Sequence, residues 1–220
     1  MFPVDRWAEY IRGGIVFLVV MWAVFGVWRK MRSEYESEKI LGMSLRLTVG
    51  FAVGALAGAR LVWGHWGWWW EGGAATATGM WWWLCRRREW DFWEWADAIG
   101  PWVLAAGTGI SLTDAGQRWP NAIIFGIGWV ISQWVKSKYR TFRWYKSGKP
   151  GLVGLFCWMW GWLGGLVVAF PTEGNIYWVG LKPEQWLAAW LTAAGAGAVY
   201  ARAGREFGIR TGIWLRRIRK

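Results

Sequence analysis

Seven apolar stretches, at about residues 13–28, 45–63, 68–85, 92–112, 119–135, 151–170 and 185–202, divide the sequence, and its basic residues gather in alternate gaps between them. Most of the stretches approach the roughly 20 residues that a helix needs to cross a bilayer. The gaps 29–43, 86–91 and 136–150 and the tail after Ala201 hold 20 of the 26 Lys and Arg. The N-terminus and the other three gaps hold four, and Arg46 and Arg60 lie within the second stretch. Because Lys and Arg resist translocation, the gaps that collect them face the cytoplasm. The pattern predicts an all-α, polytopic integral membrane protein with seven transmembrane helices, the N-terminus outside and the C-terminus cytoplasmic.

That setting decides how the remaining composition is read. A net charge of +12 would suit a nucleic-acid-binding protein, but 55% apolar residues grouped into spans argue against nucleic acid as a partner. Seven spans in 220 residues leave almost nothing for a soluble domain. The organisation expected is one membrane domain, 1–202, and a basic cytoplasmic tail, 203–220. The first apolar run lacks a small-residue cleavage site and reads as a retained helix. Cys85 and Cys157 lie on different spans without a C-x-x-C partner, so neither a disulfide framework nor a metal site is expected. Nothing in the sequence calls for a cofactor.

Glycine and tryptophan have separate tasks. Gly50, Gly54 and Gly58 recur every four residues and give the second span a smooth face for close helix approach. Gly161, Gly164 and Gly165, and the small residues 193–198, read the same way. Trp28, Trp63, Trp68, Trp119, Trp134, Trp178 and Trp186 fall where spans meet water, at headgroup level. Trp81, Trp82, Trp83, Trp158, Trp160 and Trp162 lie deeper, as lipid-facing or gap-filling bulk, with an aromatic-ligand site as the alternative.

Ionisable residues at membrane depth are the sharper functional signal, because burying a charge there is costly without a partner or a task. Arg60 lies near the external end of the second span, close in sequence to His65 and Glu71. Asp114 and Arg118 flank the external turn between the fourth and fifth spans, and Glu173 follows the sixth. Together they would form a polar pocket at the outer leaflet in which a guanidinium holds a lipid phosphate. The alternative is an Arg60–Glu71 ion pair that locks two helices. Asp97, four residues before Pro101, is expected to accept hydrogen bonds from backbone or from Arg86, Arg87 and Arg88 and to serve as a structural polar group, as is Asp114. In the tail, Phe207, Trp214 and Ile218 share a helical face amid arginines, as in helices that rest on anionic lipid. A solvated tail that meets an acidic protein is the alternative.

In order along the chain, Ile11-Arg12, Gly58-Ala59-Arg60-Leu61, Glu71-Gly72-Gly73, Arg86-Arg87, Phe92, Asp97, Pro101, Arg118-x-Pro120 and Gly154-Leu155-Phe156 with Gly161 form a set of motifs. The set resembles bacterial prolipoprotein diacylglyceryl transferases, seven-helix enzymes of the inner (cytoplasmic) membrane, over most of the chain. The resemblance implies transfer of diacylglyceryl from phosphatidylglycerol to a lipobox cysteine, with Arg60, Arg12 and Arg118 binding lipid phosphate and Glu71 as the candidate catalytic residue. The departures fall on the chemistry. Glu71 replaces the family's His, Ile110-Ser111-Leu112-Thr113-Asp114 replaces a Gly-Arg-x-Gly-Asn signature, and Gly164 and Val168 replace an Arg and a Glu. A carboxylate beside a departing glycerol phosphate repels it, and one lost phosphate contact can cost about 3–4 kcal/mol of transition-state stabilisation. The expectation is a diverged, catalytically inactive relative that keeps a lipid-binding groove or serves as a subunit of a membrane complex. An active transferase with a rearranged site is the alternative. Membrane phospholipid is the expected partner, with other membrane proteins as further candidates.

Overall fold

The computed structural model describes residues 4–61, 69–113, 115–145, 147–168 and 179–204. Among them are seven α-helices and no strand: α1 (Val4–Met31), α2 (Ser37–Leu61), α3 (Trp69–Arg87), α4 (Phe92–Leu112), α5 (Ala115–Lys138), α6 (Leu152–Val168) and α7 (Pro183–Arg202), with a 3-10 turn at Tyr139–Thr141. The all-helical class is therefore as the sequence predicts. By length and composition, the segments Tyr10–Met31 and Ser37–Ala57 are apolar enough to cross a membrane, and Leu152–Val168 is apolar but shorter. The remaining helices carry Trp and Gly, which add bulk or smoothness rather than strong hydropathy, together with polar or charged residues.

Helix ends follow hydrogen-bonding chemistry more closely than hydropathy. α2 begins at Ser37, well before the apolar stretch at 45, because its first turns are polar but still helix-forming, with Glu38 favourable beside the N-terminal end of the dipole. α4 starts where the Asp91 carboxylate accepts a hydrogen bond from the Trp93 N–H at 2.8 Å. α7 starts with Pro183, tolerated there because the first N–H groups have no intrahelical partner, and Gln185 returns its side-chain oxygen to the Lys182 N–H at 2.9 Å.

α4 is the central helix, packed on α1, α5 and α6, and it buries Trp95, Ala96, Asp97, Ala98, Pro101, Leu104 and Ala105. α2 and α3 pack chiefly on each other, and α7 packs on α6, which also lies against α4 and α5. Gly54 makes the α2–α3 contact: a Cβ there would run into the Thr76 side chain and the Gly72 carbonyl, and one at Gly50 into Met80. On α6, Gly164 admits Ile124, whereas Gly161 and Gly165 face open space and do not perform the packing expected of them. Two apolar clusters tie the pairs together. One joins Val27 and Met31 of α1, Ile40 and Met43 of α2, Leu84 and Cys85 of α3, and Trp95 and Ala98 of α4. The other joins Leu104, Val135, Tyr145, Leu152, Val153, Cys157 and Ala203. Both cysteines are free and buried. The deep tryptophans of α6 are gap-fillers with a polar anchor: the Trp160 indole N–H donates to the Ile124 carbonyl at 2.8 Å, and that of Trp158 to the Leu191 carbonyl at 3.3 Å.

Candidate functional site

Polar groups concentrate at the end of the bundle where α1 and α4 meet the start of α6, around Asp97. Pro101 has no N–H, so the Asp97 carbonyl, four residues earlier, loses the intrahelical donor it would otherwise have. The Lys30 ammonium of α1 supplies that donor at 2.8 Å. The Asp97 carboxylate meanwhile accepts the Gly151 N–H at 2.7 Å and the Gly154 N–H at 2.8 Å. It therefore caps the first turn of α6 with two acceptor oxygens at the positive end of that helix's dipole. One residue thus fastens three helices, and its carboxylate oxygens are occupied by backbone N–H groups.

The chain before α6 is shaped for this contact. Gly151 has φ of 112°, which a side chain would strain, and a Cβ there would press on Trp93 and Arg202. A Cβ at Gly154 would collide with Ala96, so only glycine lets the α6 backbone come near enough for both hydrogen bonds. Arg202 of α7 closes the far side. Its guanidinium donates to the Pro150 carbonyl through Nε at 3.0 Å and also through Nη2, and lies over the Trp93 ring at 4.2 Å. Ser147 donates to the Arg202 carbonyl.

Beside this junction, Tyr35 packs on Trp90 and Trp95, whose rings stack at 5.1 Å, and its hydroxyl donates to Glu94 Oε2 at 3.2 Å. Burial, and next the charge of Glu94, raise the Tyr35 pKa. Arginines at the same end lie over aromatic rings: Arg32 over Trp28, Arg86 over Trp82, Arg87 over Trp83 and Arg88 over Trp90. Arg86, Arg87 and Arg88 are therefore not the partners of Asp97; backbone is.

The expected outer pocket is seen only in part. Helix positions 60 and 71 come to the same end of the α2–α3 pair, since α2 residues 50 and 54 meet α3 residues 80 and 76 in antiparallel register. The side chains of Arg60, Glu71 and Arg118, and His65, Asp114 and Glu173, lie outside the described residues, as does the tail from 205 onward. Arg12 sits on an exposed part of α1. No group of His, Cys, Asp and Glu able to hold a metal ion occurs among the described residues.

Sequence reasoning missed Lys30 and Arg202, which it counted only as cytoplasmic charge. The Asp97-x-x-x-Pro101 spacing is the signal that could have pointed to an orphaned carbonyl, but nothing local points to a donor 67 residues away. No protein-family model, curated protein or solved structure matches the chain. Function must therefore be read from the geometry itself.

Proposed function

We propose that the chain is a seven-pass helical protein of a bacterial cytoplasmic membrane. In this reading it is a diverged relative of the prolipoprotein diacylglyceryl transferases that handles lipid without performing the transfer. The observation that carries the membrane reading is an inversion of burial. α2 exposes Leu45, Val49, Val53 and Leu56 along one side, and α5 exposes Trp119, Ile123, Ile127, Val130 and Trp134. Asp97, Ser111, Ser132 and Gln185 are buried. Water would penalise such continuous apolar stripes, and lipid solvates them. Polar groups turned toward the bundle interior are what a membrane-embedded fold requires.

The non-catalytic part rests on chemistry. Attack by a thiol needs a general base, and departure of glycerol phosphate needs cations. Asp97 is committed to the α6 backbone, and the family's His, Arg and Glu positions are Glu71, Gly164 and Val168. The decisive experiment is rescue of cells depleted of the authentic transferase. The inserted protein is expected to leave prolipoproteins unmodified. Restored maturation that Glu71→Ala abolishes would overturn the non-catalytic reading in favour of the transferase.

A further inference from the structure

One face of α3 changes character in an orderly way toward its C-terminal end. Ala75 and Gly79 are exposed and small, and a Cβ added at Gly79 would meet nothing within 4 Å. One turn on, Trp82 and Trp83 are half exposed, at 50% and 51%. Another turn on, Arg86 and Arg87 are exposed, each with its guanidinium 5.2 or 5.3 Å from the ring centroid one turn below. Neither guanidinium lies within ion-pairing distance of a carboxylate among the described residues. Each ring carries its own cation one turn further on, at neighbouring positions of the helix, and leaves the guanidinium N–H donors unspent among the described residues.

From this arrangement we infer that the face is a binding site for one anionic glycerophospholipid of the cytoplasmic leaflet. Its phosphate is held by Arg86 and Arg87, its glycerol region lies against Trp82 and Trp83, and an acyl chain runs over Gly79 and Ala75. The lengths agree. Gly79 to Arg86 is seven residues, about 10 Å of helix, the scale separating the upper acyl chain from the phosphate. Two guanidiniums without a carboxylate select a net negative headgroup over a zwitterionic one, because a choline would bring a third cation to the same place. The site rests on the membrane reading above, which puts the end of α3 at the cytoplasmic surface. It is separate from any outer-leaflet groove.

The test is native mass spectrometry of the full chain released from detergent, with phosphatidylglycerol or phosphatidylcholine of identical acyl chains. The wild type is expected to retain phosphatidylglycerol at least about fivefold better. Arg86→Gln with Arg87→Gln should reduce that retention severalfold. Gly79→Leu, which adds bulk to open space, should do the same while leaving every charge in place. Arg140→Gln with Arg143→Gln, two exposed cations elsewhere at this end, should leave it unchanged. Equal retention of the two lipids, or equal losses from the control pair and the α3 pair, would overturn the site. So would full retention in Gly79→Leu. Alkaline extraction of cell membranes separates the two readings: a protein that resists extraction yet shows no lipid preference sinks this site alone, whereas one that is released sinks the membrane reading along with it.

Discussion

Replacing Asp97 removes the fastening between α4 and α6 without touching the apolar core. Asp97 is 9% exposed, and its carboxylate accepts two N–H groups at 2.7 and 2.8 Å. Each buried donor left without a partner costs about 1–3 kcal/mol, so Asp97→Ala is expected to cost about 3–4 kcal/mol once partial relaxation is allowed for. Asp97→Asn keeps one acceptor but turns an amide N–H toward a backbone N–H, for about 2–3 kcal/mol. For comparison, Asp91→Ala, the loss of an exposed helix cap, should cost about 1 kcal/mol. Cys157 supplies the assay. It sits in α6, 5% exposed and packed in the cluster that Leu152 and Val153 share, so maleimide reaches it when α6 opens. Since about 1.4 kcal/mol is tenfold, Asp97→Ala should speed labelling by roughly 150- to 700-fold where reclosing outpaces modification. Labelling within twofold of wild type, with an unchanged unfolding midpoint in detergent, would refute the capping role.

Lys30→Met should cost about 1–3 kcal/mol by orphaning the Asp97 carbonyl; adding Pro101→Ala restores a backbone N–H, so the double variant should recover part of the loss in a thermal-melt cycle, and strictly additive losses would contradict that pairing. Gly54→Leu should separate α2 from α3, at a cost of at least about 3 kcal/mol, whereas Gly161→Ala should be neutral or slightly stabilising; disulfide trapping between cysteines placed on α2 and α3 reports the difference. Trp160→Phe should cost about 1 kcal/mol through loss of its hydrogen bond to Ile124, read from the detergent unfolding midpoint. Tyr35 has its pKa raised in the fold, so its contribution to stability is complete below about pH 10 and fades as pH climbs through the raised value; the ultraviolet titration difference between wild type and Tyr35→Phe should show a phenol ionising later than a free tyrosine.

The all-helical class and the seven helices among the described residues were legible in the sequence because each apolar run falls largely within one helix, although only Tyr10–Met31 and Ser37–Ala57 have the length and hydropathy to cross a bilayer. α4 occupies the stretch that hydropathy marks, Phe92–Leu112, because Asp91 caps its start. α2 does not, because hydropathy reports solvent and not backbone hydrogen bonding, and the turns after Ser37 are polar yet helical. The packing role of Gly54 was readable from its four-residue repeat. The idle Gly161 and Gly165 have the same spacing, so a smooth face is necessary for close approach but does not supply the neighbour. The Asp97 junction was half visible: proline at 101 predicts a bare carbonyl, but a long lysine from α1 finds it only once the bundle has closed. Arg202 was hidden in the same way, since its partner Pro150 belongs to another connection.

The α2–α3 pair adheres to α1 and α4 through a buried patch built from Val27, Met31, Ile40, Met43, Leu84, Cys85, Trp95 and Ala98, all toward one end of their helices. Tension applied at the opposite tip therefore acts with a long lever arm on a short seam. Pulled from that tip, the hairpin should peel away as a unit, with Gly50 and Gly54 still seated on α3, before either of its helices uncoils.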